Sequence, residues 1–351
     1  MNNQILLAGT LSIILIAGIG TPAFATTFTG DLFYTTFSGS TNVHKVSYTY
    51  DNAVPSFTLV NPSDIGATPG ADGIVFNPNN GKLLIGGQGS GLTAKVHEVT
   101  VSPFSFISKT ANSPGGCYHL SVDPSNTIVW CAAIPGGLGK IPINPLADGT
   151  TLTVSGAVTG VDTLAFAAGT VFYTSSPSSG TGSFGTIDLV TGVTTNKISS
   201  IKAHGMTLDP FTGDLILFGG DTINQIDPTN PTVVKSSKTV AGVNFDQGTV
   251  DGLGHIFIAD NGGKLVFLDY SGTNLVGSGS NFLSQPFLAS SLDDLAPMVG
   301  PGSEPPVGGT ILPIDASALL IAGAFTNAIW IAPVLVGAAG TATFYLRTRK
   351  N

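Results

Sequence analysis

The chain has 351 residues, of which 46 are glycine and 22 are proline, and only 10% are charged. Glutamate, lysine and arginine favour helices and are scarce here, so the composition excludes a mainly helical protein and favours short strands joined by turns. Residues 26–310 carry 10 Lys against 20 Asp and Glu, with no Arg, and this net charge of −10 argues against a nucleic-acid-binding surface.

Residues 1–25 have the pattern of a secretory signal peptide. An apolar run from Ile5 to Ile19 is followed by small residues at Ala23 and Ala25, which signal peptidase prefers. The segment before the run contains no Lys or Arg, and the alternative is an uncleaved signal anchor, for which the run is short. We expect cleavage after Ala25 and export of the rest of the chain.

The middle of the chain repeats a four-stranded unit. Its clearest copy extends from Asn244 to Tyr270, where two turn signals separate three short strand patterns. Similar first strands recur at intervals of 46, 44, 42, 42 and 47 residues. The aligned positions near the start of these strands are Asp72, Tyr118, Asp162, His204, Asp246 and Asp293. This period matches the roughly 40–50 residues of a β-propeller blade.

The two ends of the repeat region complement each other. Five copies are followed by second and third strand patterns, whereas the copy at Asp293 is followed by a linker rich in proline and glycine. Three strand patterns without a first strand occur at Asp31–Thr36, Val43–Tyr50 and Ser56–Val60. Joining the two ends completes a sixth blade and removes the open sheet edges. The sequence therefore predicts an all-β, six-bladed β-propeller over residues 26–300.

A linker (residues 301–312), a transmembrane helix (313–346) and a basic tail (347–351) are predicted to follow. No charged residue occurs in 316–346, and these 31 residues exceed the roughly 20 that a helix needs to cross a bilayer. A buried core helix fits less well, because nothing polar marks a second face. The basic tail places the C-terminus inside by the positive-inside rule.

These patterns predict a single-pass type I protein of the cell membrane, held by the C-terminal helix with the propeller on the extracellular side. An alternative is that a sorting enzyme removes the tail and a lipid anchor replaces it.

Two stretches resemble a known group of proteins. VDGLGHIFIADNGGKLVFLDYSG at Val250 to Gly272 and SLDDLAP at Ser291 to Pro297 resemble secreted six-bladed propellers of the NHL and virginiamycin-lyase-like group. The pattern of strands and turns is similar over residues 30–300, whereas specific sequence motifs are similar only in the last sixty of these residues. The tail at Gly308 to Gly340 resembles the C-terminal anchors or sorting segments of archaeal surface proteins. The resemblance implies a fold and a surface location, and it transfers no catalytic residue.

The aligned positions form a candidate metal site, because the starts of inner propeller strands meet at the mouth of the central channel. Carboxylates and an imidazole converging there could bind Ca²⁺ or another divalent ion. The alternative is that each Asp accepts backbone N–H bonds from the adjoining loop, and His119 and Asp294 are neighbours to which the same alternatives apply. The candidate ligands are Asp72, Asp162, His204, Asp246 and Asp293.

An enzymatic role would resemble that of calcium-dependent lactonases or lyases built on this scaffold. His204 would then be the acid or base, with Asp162 or Asp246 as the metal ligand or the orienting group. The sequence contains no GxSxG, HExxH or CxxCH motif, so serine esterase, zincin and c-type haem functions lack support.

Cys117 and Cys131 are the only cysteines, and both fall in one predicted hairpin. A three-residue turn at Asp123–Ser125 would place them opposite each other, whereas a four-residue turn would put them on different faces. Export permits a disulfide between them, and the sequence leaves the bonded and free states open.

The leading hypothesis is a binding or envelope-structural module that meets an unknown surface ligand or protein and no nucleic acid. The alternative is an exported, metal-assisted hydrolase or lyase that uses the channel mouth.

Overall fold

The computed structural model describes residues 27–132, 136–176 and 180–296, and these residues form 25 β-strands. Across these ranges no helix has the length and hydropathy that crossing a membrane requires. The predicted signal peptide, linker, transmembrane helix and basic tail lie outside the described residues.

The strands form six sheets, and this arrangement confirms the predicted all-β, six-bladed propeller. Blade 1 consists of β4 (Ala71–Phe76), β5 (Leu83–Gly87), β6 (Lys95–Thr100) and β7 (Ser105–Thr110). Blade 2 consists of β8 (His119–Val122), β9 (Ile128–Ala132), β10 (Leu138–Pro142) and β11 (Thr150–Leu152). Blade 3 consists of β12 (Ser155–Gly156), β13 (Thr163–Ala167), β14 (Thr170–Ser175), β15 (Gly182–Ile187) and β16 (Val193–Ile201). Blade 4 consists of β17 (Gly205–Leu208), β18 (Leu215–Gly219), β19 (Thr222–Ile226) and β20 (Ser236–Thr239). Blade 5 consists of β21 (Phe245–Val250), β22 (His255–Asp260), β23 (Leu265–Asp269) and β24 (Phe282–Ser284). Blade 6 combines β25 (Leu292–Leu295) with β1 (Thr27–Thr36), β2 (Val43–Asp51) and β3 (Ser56–Gly66).

The second strands of blades 1, 4 and 5 are the most buried elements of those blades. Every residue of β5, β18 and β22 is buried, because neighbouring blades cover both faces of these strands. Strands buried on both faces read as continuous apolar runs, which is why the second strands are easy to find in the sequence. The outer strands β7 and β20 are largely exposed, so solvent relaxes their sequence pattern.

Blade 6 closes the ring with strands from both ends of the repeat region. Tyr34 of β1 pairs with Leu295 of β25, and Thr36 pairs with Leu292. The two leucines are buried in one apolar cluster with aromatic side chains of blade 5. The predicted closure by both chain ends is therefore confirmed.

The six inner strands meet around one axis. Each of β4, β8, β13, β17, β21 and β25 contacts the next inner strand, and the last contacts the first. Residues at the N-terminal ends of these strands come together from distant parts of the sequence.

Cys117 and Cys131 are paired as a disulfide in the structure, with their Cα atoms 4.9 Å apart. The strand register places Leu120 opposite Cys131, and Asp123 N bonds to Ile128 O across a turn of four residues. Cys117 precedes β8. The loop before this strand therefore brings Cys117 to Cys131, and the pairing of β8 with β9 does not. The turn length alone was therefore a poor guide to this contact.

Candidate functional site

Acidic and imidazole side chains gather where the inner strands begin. We call this set the Asp–His cluster: Asp72, His119, Asp162, His204, Asp246, Asp293 and Asp294. All except His204 are buried, and the His204 side chain retains 16% exposure. All six inner strands, or the residues directly before them, contribute to the set, so the cluster is a product of the whole fold.

His119 is held by its Nδ1 atom. This atom lies 3.1 Å from the backbone oxygen of Asp162 and 2.9 Å from Thr163 Oγ1. The opposite ring atom, Nε2, lies 3.3 Å from Asp246 Oδ1 and 3.9 Å from Asp294 Oδ1. The Asp162 carbonyl can only accept a hydrogen bond, so it favours a proton on Nδ1 and directs Nε2 towards the carboxylates.

His204 is held in the same manner on the other side of Asp246. Its Nδ1 atom lies 2.7 Å from the backbone oxygen of Ser176 and contacts Asp162 Oδ2. Its Nε2 atom lies 3.1 Å from Asp246 Oδ1. The two imidazole rings meet edge to face, with their centroids 4.7 Å apart.

The two Nε2 atoms therefore converge on a single carboxylate oxygen. One ligand atom each from His119, His204 and Asp246 lies within 4.8 Å of the other two. Histidine ligands of metal ions characteristically donate their other ring N–H to a carbonyl or carboxylate, as both rings can do here. Two imidazoles and a carboxylate suit Zn²⁺ and similar ions better than Ca²⁺, which prefers oxygen ligands.

The remaining carboxylates of the cluster are strongly affected by burial. Burial raises the pKa of Asp72 and Asp294 well above the usual carboxyl range and raises the pKa of Asp293 to about 7. Neighbouring charges act in the same direction, from Asp293 on Asp72 and from Asp246 on Asp293 and Asp294. Crowded carboxyl groups in a dry site disfavour one another's ionised form.

The imidazoles and Asp246 compensate each other. Burial acts against the charged form of His119, but Asp294, Asp162 and Asp246 outweigh it and raise the pKa of His119 to about 9. The pKa of His204 is also raised well above its usual value, since Asp162 and Asp246 overcome the effect of burial. Burial would raise the pKa of Asp246, yet hydrogen bonds from both imidazoles hold that pKa well below its usual range. A cation between these groups would take over the role of the two protons.

Three carboxylate oxygens of the cluster are buried without a hydrogen-bond partner among the described residues: Asp162 Oδ2, which contacts His204 Nδ1 as an ion pair, Asp293 Oδ2 and Asp294 Oδ1. Where cluster carboxylates do accept hydrogen bonds, the donors are side chains, such as Gln88 Nε2 at 3.4 Å from Asp72 Oδ2. The backbone N–H bonds of the alternative interpretation do not appear at these carboxylates within the described ranges. Buried unpartnered oxygens of this kind are typical of sites that receive an ion, a water or a ligand.

The structure brings the five sequence-predicted ligands into one cluster, but it adds His119 and Asp294 and leaves out Tyr118. Strand β8 begins at His119 and pairs regularly with β9, whereas β4 and β21 contain register shifts beside Asp72 and Asp246. A one-residue shift turns a side chain to the other face, so alignment on the following turn selects the wrong member of the Tyr-His pair. The only sequence signal for His119 is its position directly after the aligned tyrosine.

Comparison with known proteins gives little beyond this. No protein-family model matches the chain, and no curated protein does. Among 724 similar chains of solved structure is a putative 6-phosphogluconolactonase from Bacteroides fragilis, with a TM-score of 0.48 and 11% identity over 76% of this chain and 97% of that one. That identity provides no basis for assigning an activity, so the function has to be argued from the site itself.

Proposed function

We propose that this protein is a binding module whose central channel holds a divalent transition-metal ion of the Zn²⁺ type. The observation that carries the proposal is the convergence of His119 Nε2 and His204 Nε2 on Asp246 Oδ1, at 3.3 and 3.1 Å. The opposite nitrogen of each ring faces a backbone oxygen, so both rings are oriented before an ion arrives.

In this proposal each residue of the cluster has a distinct role. His119, His204 and Asp246 supply the ligand atoms, and Asp162 orients both imidazoles through its backbone and side-chain oxygens. Asp293 and Asp294 add negative charge near the ion and offer oxygens for water or for a ligand. An ion bound this way would organise a surface for an external ligand at the channel, and it would also polarise a bound carbonyl group.

The proposal includes the cellular location that the sequence predicts. The pattern of residues 1–25 supports export. The uncharged run at 316–346 and the basic tail at 347–351 support a single-pass anchor with the propeller outside the cell. The partner is then a surface ligand or protein that meets the propeller outside the cell.

The test is metal binding by the purified full chain. After chelation and dialysis, the protein is titrated by calorimetry with Zn²⁺ and, separately, with Ca²⁺. We expect one Zn²⁺ per chain, bound at least tenfold more tightly than Ca²⁺. His204→Ala should weaken Zn²⁺ binding by about 100-fold or more, because it removes a ligand. The control is His44→Ala, since His44 is bonded to the exposed Asp64 away from the channel.

Three outcomes contradict or redirect the proposal. Absence of Zn²⁺ binding, or an equal loss in the two variants, contradicts it. Preference for Ca²⁺ would indicate a site built from the carboxylates alone. Turnover of ester or lactone substrates by the Zn²⁺-loaded chain, abolished in His204→Ala at unchanged melting temperature, would identify a metal-assisted hydrolase or lyase. An apolar cavity that reaches Asp294, beside His119, is the observation that favours this second function.

A further inference from the structure

An apolar cavity of about 560 Å³ occupies the central channel next to the Asp–His cluster. Its volume lies within the range of small-molecule sites, which is roughly 300–1,000 Å³. The walls are formed by apolar side chains of the inner strands, including Ile74, Leu120, Leu164, Phe166, Met206 and Leu208. None of these residues belongs to the proposed metal ligands, so the cavity is a separate feature of the channel.

Two polar side chains line the cavity where it approaches the cluster. Gln247 and Asp294 directly follow Asp246 and Asp293 in their strands, and Thr249 lies two residues further along β21 than Gln247. Thr249 Oγ1 and Asp294 Oδ1 are buried and have no hydrogen-bond partner among the described residues. A buried polar atom without a partner is destabilising, and a ligand that supplies the partner removes this penalty.

The charge of the cavity selects the ligand. No Lys or Arg lines it, whereas Asp123, Asp251 and Asp294 do. The adjoining cluster contains five carboxyl groups and two imidazoles, so hydrogen-bond acceptors outnumber cationic groups at this end of the cavity. An anionic head group such as a carboxylate would be repelled here, and a cationic one attracted.

We propose that this cavity binds a hydrophobic amine, a molecule with an apolar body and one ammonium group. The body fills the space between the inner strands, where its apolar surface is removed from water. The ammonium group lies at the inner end, where Asp294 Oδ1 accepts a hydrogen bond from it and the Gln247 amide oxygen supplies a further acceptor. Binding does not require the proposed metal ion, so the two proposals stand or fall separately.

The test compares three probes that share one apolar body: 4-phenylbutylamine, 4-phenylbutan-1-ol and 4-phenylbutyrate. Binding to the full chain is measured by calorimetry at pH 7, with and without Zn²⁺. We expect the amine to bind at least tenfold more tightly than the alcohol, and the carboxylate to bind most weakly. Equal affinities, a preference for the carboxylate or absence of binding by all three would overturn the proposal.

Variants locate the bound probe. Thr207→Trp places a large side chain in the cavity wall and should abolish binding of the amine, whereas Thr239→Trp, on the exposed outer strand β20, should leave it unchanged. Asp294→Asn should reduce the affinity for the amine to that for the alcohol. If Thr207→Trp fails to fold, Ala165→Leu fills the same cavity with a smaller group. Undiminished binding in a folded cavity-filling variant would show that the amine binds elsewhere.

Discussion

At the scale of single residues, the five histidines differ in what their ring nitrogens contact. His119 and His204 direct Nε2 at one shared carboxylate oxygen. The other three bond their ring nitrogens to separate groups: His44 to Thr36 and Asp64, His97 to Ser108 and Pro69, and His255 to Asp251. The amino-acid composition could not distinguish His119 and His204 from the other three histidines, because the role of a histidine depends on the neighbours that the fold places around it.

Glu98 is a buried charge with a structural role. Its Oε1 atom accepts hydrogen bonds from Asn77 and Asn80, both at 2.9 Å, and Lys82 Nζ lies 3.1 Å from Oε2. Asn77 also donates to Ile143 O in the next blade, so the carboxylate helps to join blades 1 and 2. Burial acts to raise the pKa of Glu98, but the bonds from Asn80, Lys82 and Asn77 outweigh it and lower that pKa.

We expect Glu98→Gln to reduce the free energy of unfolding by about 1–3 kcal/mol at pH 7, because charge-assisted hydrogen bonds are lost. A carboxyl whose folded pKa is lowered stabilises the protein above its unfolded pKa of about 4.5 and loses this effect as pH falls further. The difference from the unmodified protein should therefore narrow below pH 4.5, as measured by urea denaturation at several pH values. A difference that stays constant with pH would assign the loss to packing alone.

At the scale of strands, burial decided which elements were visible in the sequence. The fully buried second strands were recognised from their apolar runs. The inner strands were recognised because their pattern recurs at regular intervals. The outer strands β11 and β24 have three residues each and remain partly exposed, so neither length nor pattern identified them. The short β12, which pairs in parallel with β16 at the edge of blade 3, had no sequence signal.

Ring closure gives the strand-scale prediction. Leu292→Ala should reduce the free energy of unfolding by about 2–5 kcal/mol, because it opens a cavity where β25 and blade 5 pack together. Leu92→Ala is the matched control: Leu92 lies in a turn with 74% exposure, and its loss should change stability by less than about 0.5 kcal/mol. Equal effects in urea denaturation would mean that the closure contributes little to stability.

At the scale of the whole molecule, the proposed anchoring leads to a cell-fractionation experiment. The full chain should sediment with membranes and resist extraction by alkaline carbonate, because one apolar helix holds it in the bilayer. A variant that ends after residue 312 should appear in the medium, and protease added to intact cells should degrade the propeller of the full chain. Recovery of the full chain in the soluble fraction, or its protection from protease, would contradict the proposed topology.

The sequence by itself determined the propeller, its six blades and its closure by both ends, because each blade repeats a local pattern of apolar strands and turns. It also identified five of the residues that meet at the channel, since they occupy equivalent positions in that pattern. Only the tertiary structure decided the rest: which way each side chain turns, that His119 replaces Tyr118, and that the imidazoles share Asp246. These contacts join residues more than forty positions apart, and a register shift of one residue, which no local pattern records, changes which side chain faces the axis.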